Sequence, residues 1–152
     1  MTAVVIHRAP LAMRRILLDS GPPILKTFTV TNEARLQTQP GPGDTKGPHF
    51  EGRALDIFLF AARPAELDVG ENLVEFLLNR QDEIKWSTLI YFKREWSSKD
   101  SMIPRIGTQG RDFEHKTHIH IEWAARDRDF DDFKATVAQD LEVVFGPNPY
   151  DE

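Results

Sequence analysis

Cysteine is absent from the 152-residue chain. That excludes disulfides and thiolate metal ligands, so any bound metal must be held by His, Asp or Glu. Long apolar runs are missing too: no stretch approaches the roughly 20 residues a membrane span requires. The opening MTAVVIHRAPLAMRRILLDS lacks the order of charge, apolar core and small-residue cleavage site that marks a signal peptide. The expectation is therefore a protein made in soluble form, without a signal peptide. Positive charge is in deficit, with 19 Lys and Arg against 24 Asp and Glu. The net charge of -5 argues against nucleic acid or an anionic membrane as partner, since clustered cations drive both kinds of binding. Repeats and low-complexity tracts are lacking. Oligomeric state is not legible from the sequence.

What is present suits one domain over 1–152: 40% hydrophobic residues, ten of them Phe and three Trp, enough for one core at this length. APLAMRRILLDSG spaces Leu11, Met13, Ile16 and Leu17 for a short helix stopped by Gly21-Pro22-Pro23. ILKTFTVTN alternates as a strand, and QTQPGPGDTKGP carries too much Pro and Gly for either element. RALDIFLFAA reads as a central strand apolar on both faces. DVGENLVEFLLNRQDEI is a helix with Asp68 as N-cap, and STLIYFKREW a strand. After the polar loop SSKDSMIPRIGTQGRDFE come a last strand, KTHIHIEWA, and a closing helix, DFDDFKATVAQDLEVVF, with Phe130, Phe133, Val137 and Leu141 on one side. The mixed order, with few crossover units, predicts an α+β fold on an antiparallel or mixed central sheet flanked by helices.

Five histidines occur in the chain, and four of them, His49, His115, His118 and His120, sit beside two strands. In the last strand a period of two puts His118, His120 and Glu122 on one face and Ile119, Ile121 and Trp123 on the other. By itself the His-x-His pair reads more readily as the solvated face of an edge strand than as a ligand pair. Asp56 is more informative. It lies among Ala54, Phe58 and Phe60 on a strand that looks buried on both sides. An ionised carboxylate there costs several kcal/mol unless a cation or donors compensate. Pairing with Arg53 or Arg35 would do this. So would a divalent metal, for which zinc is the natural fit, held by Asp56, His49 and an imidazole of the last strand with a fourth position left open.

Two segments carry a resemblance. HFEGRALDI places Gly three, Ala five and Asp seven residues after a His, and EHKTHIHIEW holds a late His-x-His. Together they resemble the metal motifs of the D-alanyl-D-alanine carboxypeptidase and endopeptidase group, zinc peptidases that share the fold of the hedgehog signalling domain. LIYFKREWS, with the loop and His block after it, is similar to cell-wall hydrolase domains of phage and actinobacterial type. The resemblance implies His49, Asp56 and His120 as zinc ligands and His118 as the group that stabilises the transition state. It also implies hydrolysis, by a metal-activated water, of peptide bonds in peptidoglycan stem peptides or cross-links. TVTNEAR resembles the group's arginine-bearing segment, which makes Arg35 the substrate-binding or carbonyl-polarising residue. Two general bases are available, Glu114 and His115, of which Glu114 is favoured because a carboxylate near a cation stays ionised.

Two other functions fit the same residues: a hedgehog-like metal-bearing binding module without catalysis, and a metal hydrolase of another substrate with Tyr91, Trp96 and the QTQPGPGDTKGP loop lining its groove. A wall hydrolase without a signal peptide would reach the cell wall or periplasm by lysis, by dedicated secretion or on a phage particle. The choice between carboxypeptidase and endopeptidase stays open at this level.

Overall fold

Helices cover one face of an antiparallel sheet, which is the α+β architecture expected. The computed structural model describes residues 4–41, 43–99, 105–106 and 116–145. The α-helices are α1 (Arg8–Ser20), α2 (Pro64–Asn79), the single turn α3 (Gln81–Ile84) and α4 (Lys134–Phe145). The strands are β1 (Leu36–Gln37), β2 (Ala54–Phe58), β3 (Thr88–Tyr91), β4 (Arg94–Ser97), β5 (Arg105–Ile106) and β6 (His118–Glu122). They lie in the order β1-β2-β6-β3-β4-β5, and every neighbouring pair is antiparallel. The last strand in the chain therefore occupies the middle of the sheet. Among the described residues no helix is long and apolar enough to cross a membrane.

Alternation along the strands divides the sheet into two faces. Leu55 and Ile57 of β2, Leu89 and Tyr91 of β3, and Ile119 and Ile121 of β6 join one core with Met13 and Leu17 of α1, Leu73 and Leu77 of α2, and Val137 and Leu141 of α4. Fully burying each such side chain contributes about 1.5–3 kcal/mol, so this face sets the register. Helix α2 is fixed closely to β3, because a Cβ at Gly70 would stand 2.5 Å from the Tyr91 hydroxyl, which donates to the Leu59 carbonyl at 2.9 Å. The opposite face carries Asp56, His118 and His120. It is only partly covered, since Asp56 and Phe58 are half-buried.

Five local expectations are corrected. The strand predicted over ILKTFTVTN is a 3-10 turn, Pro23–Lys26, followed by an isolated bridge between Phe28 and Ala34. The Thr29 hydroxyl accepts from the backbone N–H groups of Thr31 and Glu33, a local turn that competes with strand pairing. Helix α2 begins at Pro64 rather than after Asp68, with Pro in the first turn, where its missing N–H costs nothing. STLIYFKREW is a hairpin, not one strand. Phe92 and Lys93 turn it with φ of 46° and 66°, a left-handed pair formed without the Asn or Gly that usually signals such a turn. Strand β2 is fully buried on its Leu55 and Ile57 face, while on the other face Ala54 is buried but Asp56 and Phe58 are only half-buried. Tyr91 and Trp96 are core residues at 0% and 4% exposure, which removes them from any groove.

Candidate metal centre

His49 is positioned by the turn that precedes β2. Glu51 N–H donates to the Gly47 carbonyl, Gly52 N–H to His49 and Arg53 N–H to Pro48. Gly52 closes the turn at φ +70°, and a Cβ there would lie 1.8 Å from the Val5 carbonyl oxygen. Its own carbonyl accepts from His7 N–H at 2.8 Å. The spacing in HFEGRALDI thus has a physical reading. Glycine three residues after His49 lets the chain turn back against the N-terminal segment, and the strand then begins.

Strand pairing delivers the other side chains. Asp56 is directly opposite His120, Phe58 opposite His118 and Ala54 opposite Glu122. Directly opposed residues of an antiparallel pair share a face and stand about 4.5–5.5 Å apart at Cβ. Three imidazoles accordingly converge on one carboxylate oxygen. Asp56 Oδ1 is 3.0 Å from His49 Nε2, 3.1 Å from His120 Nδ1 and 3.7 Å from His118 Nε2. Arg35 and Arg53, the alternative partners of Asp56, pair elsewhere. Arg35 meets Glu66 at 2.7 Å, and Arg53 meets Glu51 and Glu122.

The outward nitrogens decide what the inward ones offer. His49 Nδ1 faces the Thr38 carbonyl at 3.4 Å, and His120 Nε2 faces Glu122 Oε1 at 3.0 Å. Both partners only accept, as does Asp56, so the outward nitrogens carry the proton whenever a metal takes the inward ones. In neutral imidazoles the inward nitrogens are then lone pairs aimed beside a carboxylate oxygen. His49 Nε2 is buried there without a hydrogen-bond partner. Lone pairs and an anion within about 3 Å repel unless a cation or a proton lies among them. In the metal-free protein a proton can serve. Burial disfavours the imidazolium of His120, but the Asp56 and Glu122 carboxylates overcome that and push its pKa up to about 9. Burial likewise opposes ionisation of Asp56, yet the hydrogen bond from His120 and the neighbouring imidazolium charge hold its carboxyl far below the usual range.

His49, Asp56 and His120 together form a group able to hold a metal ion, their ligand atoms all within 4.8 Å of one another. The edge of a tetrahedral zinc site with bonds of about 2.0–2.1 Å is roughly 3.3 Å, close to the observed separations from Asp56. The donor set, two imidazoles and one carboxylate, fits zinc, and each imidazole has an oxygen acceptor behind it as metal-bound histidines require.

Residues 24–119 match the model of the VldE C-terminal domain. The chain belongs to the VldE C-terminal domain family. The match spans more than half the chain. It takes in β1 to β5, His49, Asp56 and His118, and stops one residue before His120. No curated protein and no solved structure matches the chain.

The remaining site candidates of this family member fall in different places. His118 borders the cluster, with Nδ1 3.0 Å from the Thr117 hydroxyl and its ring against Phe58 at 5.0 Å between centroids. Glu114 and His115 lie outside the described residues. Arg35 is 5% exposed. Its Nη1 donates to Glu66 and to the Phe58 carbonyl at 3.0 Å, and its Nε donates to Thr27 Oγ1 at 2.9 Å. These partners are structural, tying the Thr27 loop, β2 and α2 together. Sequence reasoning missed Glu122 as a site residue, although its place on the face of His118 and His120 was legible from the period of two.

Proposed function

We propose that the protein is a zinc-dependent peptidase of the D,D-carboxypeptidase or endopeptidase type, acting on peptidoglycan stem peptides or cross-links. The observation that carries this reading is the convergence on Asp56 Oδ1 of two imidazoles, each with an oxygen acceptor behind its outward nitrogen. His49, Asp56 and His120 would hold the ion. When bound, zinc would supply a Lewis acid that polarises a carbonyl and lowers the pKa of water toward about 7. The face is half-open at the cluster, where the His49, Asp56 and His118 side chains keep 16–21% of their surface exposed.

His118 is assigned to the transition state. Its Nδ1 lies 3.0 Å from the Thr117 hydroxyl, and its Nε2, 3.7 Å from Asp56 Oδ1, faces the cluster, where it would meet a developing oxyanion when the hydroxyl donates and Nε2 carries the proton. Proton transfer to the leaving amine falls to Glu114, with His115 as the other base candidate. The resemblance to the zinc peptidases supports the substrate class, and membership of the VldE C-terminal domain family is compatible with it.

Zinc-loaded protein incubated with purified murein and with D-alanyl-D-alanine-terminated peptides should release new amines detectable by mass spectrometry. His118→Ala should keep its zinc while turnover falls by about a hundredfold to a thousandfold, the loss typical of an oxyanion donor. Zinc bound without any product would favour a metal-bearing binding module. Loss of zinc in His118→Ala would show that the ligand assignment is wrong.

A further inference from the structure

His120 does not stand alone behind the cluster. Its Nε2 donates to Glu122 Oε1 at 3.0 Å, and Glu122 Oε2 accepts from Arg53 Nη1 at 3.0 Å. Arg53 is itself fixed twice more, by Nε to Glu51 Oε1 at 2.8 Å and by Nη1 to the Trp123 carbonyl at 2.9 Å. The sheet builds this chain of contacts. Glu122 is two residues beyond His120 on the same face of β6 and directly opposite Ala54. The methyl group of Ala54 leaves space for the carboxylate to fold back against the imidazole and for the guanidinium of the preceding residue to reach it. Glu122 is 9% exposed and His120 6%, so the bond between them is shielded from competing water.

The two histidines of the cluster are thus backed unequally. His49 has a neutral carbonyl at 3.4 Å, a long contact. His120 has a charged carboxylate at 3.0 Å, itself clamped by an arginine. A charge-assisted bond is roughly twice as strong as a neutral one, and a carboxylate behind an imidazole makes the other ring nitrogen a better electron donor.

We infer that Glu122, held by Arg53, is the positioning residue that fixes the tautomer of His120, presents Nδ1 as the ligand atom and strengthens zinc binding through it. This rests on the metal centre proposed above. Glu122 touches neither the ion nor the substrate and acts only through His120. The inference also explains why the residue pair spanning the start of β2 is Arg53-Ala54: one member clamps the carboxylate and the other leaves room for it.

The test is zinc affinity, measured by competition with a chromophoric chelator, on wild type, Glu122→Gln and Glu122→Ala, together with the ¹⁵N shifts of His120 in zinc-loaded wild type. Glu122→Ala should bind zinc 10- to 100-fold more weakly, the usual effect of removing such a partner. Glu122→Gln, whose amide oxygen can still accept from Nε2–H, should lose less than Glu122→Ala. In wild type the shifts should report a metal-bound Nδ1 and a protonated Nε2. Equal affinity in all three proteins would overturn the positioning role while leaving the metal centre standing. A metal-bound Nε2 in wild type would do the same, even if Glu122→Ala does not fold. Failure of wild type to bind zinc would remove the metal centre, and this role with it.

Discussion

Arg35→Met removes a guanidinium from the most buried ion pair among the described residues, with side chains 5% and 7% exposed. Breaking a buried pair by deleting one partner costs about 3–5 kcal/mol, because the other charge is left uncompensated. Glu66 keeps a bond from Arg63 Nη1 to Oε2 at 2.8 Å and from Phe60 N–H to Oε1 at 3.1 Å, so the loss should fall near the lower end, about 3 kcal/mol. Urea unfolding at pH 7 measures it. At a slope of about 2 kcal/mol/M the midpoint should drop by roughly 1.5 M with the slope unchanged. The double variant Arg35→Met/Glu66→Leu should recover at least half of that, since an apolar pair leaves no buried charge. The pH dependence has a definite sign. Burial opposes ionisation of Glu66, but the bonds from Arg63 and Arg35 outweigh it and hold the carboxyl below its usual 4.5. A depressed carboxylate contributes stability that is present above its unfolded pKa and lost as pH falls through the folded value. The penalty of Arg35→Met should therefore be full at pH 7 and shrink below about pH 4.5. A loss under 1 kcal/mol at pH 7, with zinc retained and hydrolysis abolished, would refute the structural reading of Arg35 and return it to the substrate.

Other consequences follow from the cluster. Gly52→Ala forces a side chain into a left-handed position and against the Val5 carbonyl, so it should destabilise by more than about 1 kcal/mol. It should also weaken zinc binding by displacing His49, and unchanged affinity in the folded variant would contradict the role given to the turn. Because His120 holds a proton up to about pH 9 in the metal-free protein, zinc uptake at pH 7 should release about one proton. Calorimetry in buffers of different ionisation enthalpy counts it, with apparent affinity rising about tenfold per pH unit between pH 6 and 8. No proton release would mean that zinc does not enter between Asp56 and His120.

The features that bear on the site differ in how far the amino-acid pattern exposed them. Met13, Ile16 and Leu17 announce α1, and the His-x-His alternation places His118 and His120 on one face, because both signals are local periodicities. A buried-looking Asp56 pointed to a cation on chemical grounds alone. What stayed hidden was non-local. Nothing in KTHIHIEWA says that this strand inserts between β2 and β3, and only that pairing sets His120 opposite Asp56. The hairpin was obscured because Phe92 and Lys93 take positive φ without glycine, a strain that the surrounding packing must support. Arg35 took its substrate role from the likeness of TVTNEAR to the zinc peptidases' arginine-bearing segment, and its ion-pair partner, Glu66, was not legible because it lies 31 positions away on α2. Glu122 was on the page as a face residue, but its bond to His120 depends on the small Ala54 of the neighbouring strand.

The most direct measurement of the metal centre is the zinc content of purified protein dialysed against a weak chelator, for wild type and Asp56→Ala side by side. The proposed zinc site predicts one zinc per chain in wild type and essentially none in Asp56→Ala, with both proteins folded. Equal zinc in the two, or none in wild type after saturation with the metal, would contradict a site centred on Asp56 Oδ1.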